Sequence, residues 1–211
     1  MITLFFSDNR IKFLWFVAAL YLSGCATTAP QQPPAIHALS PSVLHQHHMA
    51  QITKIAQFSL KGRLGVITKP KGFSGRVAWQ HQSEKDNIDV FSPLGGKVAN
   101  IVKTPDQVIL TDNKEKNTKA QDVETLTEDS LGFRLPLSGL SNWALGKPHD
   151  RGLVNAVTWD ANGRINTLKQ NGWDIEYADY ADNDGYFLPR KIILKNEKMT
   201  LKLIVEKWSN L

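Results

Sequence analysis

Residues 58–68, FSLKGRLGVIT, decide the fold of this chain. Apolar side chains alternate with polar or small ones along this stretch, which predicts a long β-strand with one buried face. Gly62 and Gly65 lie inside it, and glycine within a strand allows a strong bend. Residues 69–72 (KPKG) predict a turn, and residues 73–81 (FSGRVAWQH) return as a second strand. The beginning of the domain is therefore a hairpin in an antiparallel, curling sheet.

The same reasoning predicts nine further strands along the chain. They are residues 88–91, 97–103, 107–112, 118–120, 154–159, 164–170, 173–180, 189–195 and 199–208. Asn162-Gly163 separates two of them and is a strong hairpin signal. About 11 strands joined by short connections indicate a mainly β fold with some helix, an open antiparallel β-barrel that does not close.

About three helices are predicted beside the strands. One spans residues 43–57 with Ser42 as its cap, one spans 122–131 with Asp122 as its cap, and a short one covers 140–145. Because their apolar faces need cover, we expect the barrel to enclose them on its concave face and to leave an apolar cavity. Seven large residues are candidates for lining that cavity: Trp79, Phe91, Trp143, Leu145, Trp173, Ile175 and Trp208. The alternative for each of them is ordinary core packing.

The N-terminal segment ends in Leu22-Ser23-Gly24-Cys25 and predicts a lipoprotein signal peptide. Arg10 and Lys12 accompany an apolar run of roughly 10 residues, which is too short for a membrane span and typical of a cleaved export signal. Cys25 is the only cysteine in 211 residues and stands where the lipobox of bacterial lipoproteins requires one. We expect lipid attachment at Cys25; the alternative is an ordinary signal peptide that contains a cysteine.

Three segments follow from this interpretation. Residues 1–24 are the signal peptide, 25–41 a lipidated tether rich in Pro, Ala, Gln and Thr, and 42–211 a single domain. Several acyl chains anchor a protein stably without threading it through the bilayer. Ala26 follows the cysteine, and the absence of Asp there favours the outer membrane, with the domain on its periplasmic face.

Composition and motifs limit the functions open to this chain. The mature chain keeps 23 basic and 19 acidic side chains, scattered along the sequence, which does not indicate nucleic-acid binding and is compatible with weak attraction to anionic lipid headgroups. His45, His47 and His48 suggest a metal site, but a solvated helix face is the favoured interpretation. Asp86 and Asp89 are expected on an exposed strand face rather than as a catalytic pair. We expect no enzyme activity, no metal and no cofactor.

The segment from Phe91 to Lys97 is the most informative loop. Pro93 fixes φ at the second position of a turn, and Gly95 and Gly96 allow the chain to reverse. Leu94 is thereby held at the apex. From these residues alone, its side chain either points into solvent or folds back under the turn into the core.

Several pieces together resemble the LolB family of bacterial outer-membrane lipoproteins. They are the lipobox at Cys25 and residues 58–66, 74–80, 92–95, 132–148, 170–180, 188–189 and 201–208. The resemblance implies an open barrel of 11 strands with internal helices, and an exposed leucine at Leu94 on a protruding loop, flanked by Pro93 and Gly95, that passes lipoproteins into the membrane. It also implies a monomer that accepts acylated lipoproteins from the periplasmic carrier LolA and delivers them to outer-membrane phospholipid by passive transfer of acyl chains.

Two rival functions remain open on the sequence. One is a structural outer-membrane lipoprotein that binds a protein or cell-wall partner without transferring lipid. The other is an enzyme acting on envelope lipids, against which the missing nucleophile constellation argues.

Overall fold

The computed structural model describes residues 40–69 and 72–211. The predicted signal peptide, Cys25, Ala26 and most of the tether lie outside the described residues, and so do Pro70 and Lys71 of the first predicted turn. The described residues belong to a compact unit that spans Leu39–Leu211. Within them, we find no helix with the length and apolar character needed to cross a membrane.

The described chain forms eleven strands, and each coincides with a predicted one. They are β1 (Gln57–Thr68), β2 (Gly72–Gln82), β3 (Lys85–Phe91), β4 (Lys97–Lys103), β5 (Val108–Asp112), β6 (Asn117–Ala120), β7 (Val154–Trp159), β8 (Ile165–Gln170), β9 (Trp173–Asn183), β10 (Tyr186–Lys195) and β11 (Met199–Ser209). The largest differences are that β3 and β10 begin three residues earlier than predicted and β9 ends three residues later. The longer β3 brings Asp86 into the sheet.

The strands form one open antiparallel sheet. Their spatial order is β6-β5-β4-β3-β2-β1-β11-β10-β9-β8-β7. β1 pairs with β2 on one side and with β11 on the other, so the first and last strands of the domain are neighbours. The edge strands β6 and β7 are not paired with each other. The predicted fold class, an antiparallel barrel that fails to close, is confirmed.

The first helix, α1 (Pro41–Ile52), differs from the prediction at both ends. Its cap is Ser40 rather than Ser42, because the Ser40 side chain accepts a hydrogen bond from the backbone N–H of Val43. Pro41 then fits at the first helical position, where its missing N–H costs nothing. The helix ends five residues early, and a short turn leads into β1, which has already begun at Gln57.

The other two helices, α2 (Val123–Leu131) and α3 (Leu137–Ala144), follow one another closely. Asp122 caps α2 as predicted, accepting from the backbone N–H groups of Glu124 and Thr125, and Gly132 ends it at φ 82°. α3 starts three residues before the predicted Leu140, because Leu137 directly follows Pro136 and already lies on the buried helical face.

The helices cover one face of the sheet, called the inner face below. In β1, the buried residues alternate from Phe58 to Val66, and Leu137 and Trp143 of the helices belong to the same apolar cluster. The other face of the sheet, the outer face, carries the polar side chains of the alternation. Burial of the helices against the sheet is the arrangement that their apolar faces predicted.

Candidate functional site

The loop between β3 and β4 is a tight turn that holds Leu94 in solvent. The backbone N–H of Gly95 donates to the carbonyl of Ser92 at 2.9 Å, and the N–H of Ser92 donates to the carbonyl of Gly96 at 2.8 Å. Gly95 adopts φ 89°, a left-handed conformation that glycine accepts without steric cost. The Leu94 side chain is 99% exposed. Of the two orientations that the sequence left open, the structure shows the exposed one.

Leu94 lies at one rim of the open barrel, the rim at which β1 ends and β11 begins. The antiparallel register fixes this placement, because Thr68 pairs with Met199 there and β3 ends beside the beginning of β2. The same rim has a cavity of about 530 Å³. Its apolar lining includes Ile67, Phe133 and Met199, and charged side chains complete the wall. A partly apolar cavity and an exposed leucine therefore share one rim.

Six of the seven predicted cavity residues lie in the interior, closely packed. Trp79, Trp143, Leu145 and Ile175 are at most 2% exposed, and Trp173 and Trp208 are buried as well. Trp143 lies 6.5 Å from Trp173 between ring centroids. In this conformation these side chains form the core between helices and sheet.

Phe91 corrects the predicted set, because it lies on the outer face. Ile88 and Val90 of the same strand are buried inward, so strand alternation turns Phe91 the other way. It pairs directly with Arg76 on β2 and with Lys97 on β4. The Lys97 ammonium lies 6.0 Å from the centre of its ring. The size of Phe91 predicts the concave face, but its position in the strand determines that its side chain points outward.

Asp86 also corrects the sequence analysis. It is 1% exposed on the inner face, where it accepts hydrogen bonds from the indole N–H of Trp79 at 2.9 Å and from Nδ1 of His81 at 2.7 Å. The Lys103 ammonium lies 3.4 Å from its second carboxylate oxygen. Asp89 lies on the outer face and pairs with Lys97. The two carboxylates point to opposite sides of the sheet and form no catalytic pair.

Two of the three histidines of α1, His45 and His48, take part in packing, whereas His47 is exposed. His45 stacks on Trp159 at 4.5 Å between ring centroids, and its Nδ1 lies 2.8 Å from the carbonyl of Gly163. His48 is buried, and desolvation lowers its pKa to about 4. The predicted solvated face is therefore wrong for His48. No group of His, Cys, Asp and Glu that could hold a metal ion occurs within residues 40–69 and 72–211.

Two residues of the site were missed by the sequence analysis. Phe133, in the link between α2 and α3, lines the rim cavity and packs against Phe73 with ring centroids 5.8 Å apart. Gln170, at the end of β8, is 1% exposed and bonds to the segment around α3. The GFRLP sequence after α2 could have indicated Phe133, since it is the apolar residue next to the helix-ending glycine.

The chain is similar to known proteins in both sequence and fold. A family model described as outer membrane lipoprotein LolB matches residues 56–208. Outer-membrane lipoprotein LolB of Thiobacillus denitrificans is 34% identical over 189 residues, which cover 90% of this chain and 92% of that protein. Outer-membrane lipoprotein LolB of Nitrosococcus oceani is 31% identical over 192 residues, covering 91% and 94%. The crystal structure of a LolA superfamily protein from Nitrosomonas europaea aligns with TM-score 0.51 at 8% identity, over 82% of this chain and 94% of that chain.

The open antiparallel sheet with its helices is the fold that this chain shares with that LolA superfamily protein. The family model and the two relatives define the class of protein more narrowly than the fold does. Each relative aligns with at least 90% of the chain. This chain belongs to the family of outer-membrane lipoprotein LolB. Family and fold together support a role in lipoprotein localisation at the outer membrane.

Proposed function

We propose that this protein is an outer-membrane acceptor that receives lipoproteins from the periplasmic carrier LolA and inserts them into the outer membrane. The observation that carries the proposal is Leu94, 99% exposed at the tip of a hydrogen-bonded turn. A soluble domain gains nothing from fixing a large apolar side chain in water. Burying such a side chain in a bilayer interface contributes roughly 1.5–3 kcal/mol.

Cys25 supplies the anchor in this proposal. Its acyl chains hold the protein on the periplasmic face of the outer membrane, and the tether that precedes α1 gives the domain reach. Leu94 then makes a second, reversible contact with the same membrane, at the rim that also has the opening beside Phe133. A guest that leaves the interior at this rim enters the bilayer directly.

The path for the acyl chains runs between the helices and the sheet. The interior is packed in the described conformation, so loading requires α2 and α3 to move away from the inner face. Both are short, 9 and 8 residues, and helices of that length are marginal without tertiary contacts. α2 packs on the edge strand β6, on its neighbour β5 and on α3. Displacing the pair would expose Trp143, Leu145 and the neighbouring inner residues to a guest.

Transfer in this proposal is passive. The direction comes from graded affinity between carrier, acceptor and membrane, with about 1.4 kcal/mol for each tenfold step. The fold that this chain shares with a LolA superfamily protein supports the proposal, because a carrier of the same fold would offer the acyl chains a similar apolar interior.

The test is transfer of a lipoprotein from loaded LolA through this protein to liposomes. Leu94→Glu is expected to fold and to accept the lipoprotein, but to lose delivery, because a carboxylate resists entry into the bilayer. Phe187→Glu is the matched control, since Phe187 is 46% exposed at the opposite rim. Normal delivery by Leu94→Glu would refute the role of the loop, and failure of both variants to accept lipoprotein would indicate general damage.

The alternative function, a structural lipoprotein without transfer, predicts that the purified protein takes up no acylated peptide. Uptake by the wild type in the first step of the same assay decides between the two.

A further inference from the structure

The outer face beneath the Leu94 loop concentrates basic side chains. Arg63 on β1 pairs directly with Arg76 on β2, Arg76 pairs with Phe91, and Phe91 pairs with Lys97 on β4. Directly paired residues lie on the same face of a sheet. These side chains therefore form one row across four strands, and Phe91 and Lys97 are the two residues that flank the loop.

A second row lies next to the first, farther from the rim. Lys61 on β1 pairs directly with Lys207 on β11 and with Ala78 on β2, and both lysines are exposed. We call Lys61, Arg63, Arg76, Lys97 and Lys207 the cationic patch. Two carboxylates accompany it: Glu206 contacts Arg63 at 3.1 Å and Arg76 at 3.7 Å, and Asp89 contacts Lys97 at 2.8 Å. Five cations against two anions leave a local surplus of three positive charges.

The patch is unfavourable for the isolated domain. Like charges directly opposite each other in a sheet are destabilising, and here two such pairs, Lys61 with Lys207 and Arg63 with Arg76, stand side by side. Glu206 offsets the second pair only. An arrangement that costs stability and lies beside a functional loop indicates an anionic partner for the patch.

A cavity within the patch shows what chemistry the partner would have. It measures about 310 Å³, and Lys61, Arg76 and Glu206 supply its charged walls. The rest of its lining is mainly apolar and includes Val77, Ala78 and Phe91, and Gly95 of the Leu94 loop closes one side. Cations over an apolar floor match a group that is anionic at one end and apolar at the other, which describes a phospholipid at the edge of a bilayer.

Among the residues that the structure describes, the three most exposed large apolar ones lie at the same rim. Leu94 is 99% exposed, Leu153 74% and Ile67 69%. Ile67 stands near the end of β1, and Leu153 immediately precedes β7, whose first residue pairs with the last residue of β8 at this rim. Apolar residues in the bilayer interface with a cationic band just above them are the pattern of peripheral membrane proteins.

We propose that the cationic patch binds the headgroups of anionic phospholipids and thereby positions the Leu94 rim on the membrane. The orientation of the rim rests on the function proposed above, whereas the headgroup contact itself needs only the patch. Electrostatic attraction acts over about 10 Å at roughly 0.1 M salt, whereas apolar insertion needs direct contact. Headgroup binding therefore precedes apolar insertion.

The experiment measures binding to vesicles without any lipoprotein guest. The protein is the mature chain from residue 25 with Cys25→Ala, so that no acyl anchor dominates, and the vesicles are phosphatidylcholine alone or phosphatidylcholine with phosphatidylglycerol. We expect tighter binding to the vesicles with phosphatidylglycerol, and a decline of this preference with added salt. The double variant K61Q/R76Q is expected to bind these vesicles roughly 30-fold more weakly, since each cation near an anionic surface contributes about fivefold.

Two further variants make the test specific. K54Q/K85Q removes two exposed lysines at the opposite rim, one just before β1 and one at the start of β3, and should bind like the wild type. The variant K61R/R76K keeps both charges and should retain the preference for phosphatidylglycerol. Thermal unfolding of each variant checks the fold, and little change is expected because exposed ion pairs such as Arg76 with Glu206 contribute at most about 1 kcal/mol.

Equal binding of the wild type to both kinds of vesicle, or binding to neither, would overturn the proposal. The anionic partner of the patch would then be an acidic protein surface. Equal losses in K61Q/R76Q and K54Q/K85Q would overturn it as well, since they would show an effect of net charge alone. Leu94→Glu keeps the patch and should keep the preference for phosphatidylglycerol. If it also delivers lipoproteins normally, the proposed function fails while the headgroup contact stands.

Discussion

Trp143 on α3 donates its indole N–H to the side-chain oxygen of Gln170 on β8, at 2.9 Å. The same oxygen accepts from the backbone N–H of His149 at 2.8 Å, and the Gln170 amide donates to the carbonyl of His149 at 2.8 Å. Gln170 is 1% exposed, so one buried side chain with three hydrogen bonds joins the helix, the segment after it and the sheet.

We expect Gln170→Leu to destabilise the domain by about 2–4 kcal/mol. The leucine fills a similar volume but leaves the indole N–H of Trp143 and the backbone groups of His149 without their partner. Urea unfolding followed by Trp fluorescence measures the free energy of unfolding. Asn166→Leu, at an exposed position of the same strand, is the control and should change it by less than about 0.5 kcal/mol. Similar losses in both variants would show that β8 tolerates no leucine and would contradict the role of Gln170.

The sheet could be predicted because its information is local. Alternation with period two marks a strand and its buried face within a few residues, which is why all eleven strands were found. The same rule would have placed Phe91 outward, since Ile88 and Val90 face inward. The size of an apolar side chain does not by itself determine which face of a strand it occupies.

The interior polar contacts could not be predicted from local sequence. Gln170 meets Trp143 across 27 residues, and Asp86 meets Lys103 across 17, so both contacts depend on how distant segments dock. The exposure of Leu94 needed either the structure or the family resemblance, because a turn with Pro93 and Gly95 fixes the backbone and leaves the side chain open. The rim cavity depends on the link between α2 and α3 and had no local signal of its own.

Gly62 and Gly65 were predicted to bend β1, and the structure separates their roles. A Cβ on Gly62 would lie 2.2 Å from the backbone carbonyl oxygen of Ile204 on β11, at a register shift between the strands. A Cβ on Gly65 would meet its nearest atom only at 4.0 Å. We therefore expect Gly62→Ala to cost about 1–3 kcal/mol, because backbone atoms must shift. Gly65→Ala, the matched control, should be neutral or stabilising by up to about 1 kcal/mol.

Thermal and urea unfolding of the two alanine variants measure this difference in stability. A Gly62→Ala variant as stable as Gly65→Ala would show that β1 and β11 separate there at no cost.

His48 gives the domain a pH-dependent stability. Burial lowers its pKa from 6.5 to about 4, with His45 and Arg164 acting in the same direction. Between pH 6.5 and about 4 the unfolded chain binds a proton that the folded chain does not, so stability falls as the pH falls through this window. The loss from this group approaches about 3 kcal/mol near pH 4.

The variant His48→Phe isolates this contribution. It keeps an aromatic ring near Tyr180, whose ring centroid lies 6.3 Å from that of His48, and it removes the proton. Free energies of unfolding measured at pH 7 and pH 4.5 should differ less in the variant than in the wild type. Part of the pH dependence remains, because burial also lowers the pKa of His149. Identical pH profiles for variant and wild type would show that His48 is accessible to protons in the folded state.

We expect α2 and α3 to move away from the sheet when an acylated guest is loaded. Their inner side chains, with Leu137 and Ala144 at 0% exposed, leave an acyl chain no room unless the helices withdraw. Hydrogen exchange of the amides in α2, α3 and residues 132–136 should therefore become faster when a diacylated peptide binds. Exchange in β1 and β11, which pair with each other at the centre of the sheet, should stay slow. A non-acylated peptide of the same sequence is the control and should change neither region. If the diacylated peptide binds and slows exchange in α2 and α3 instead, the guest occupies a site outside the helices, and the proposed path between helices and sheet is wrong.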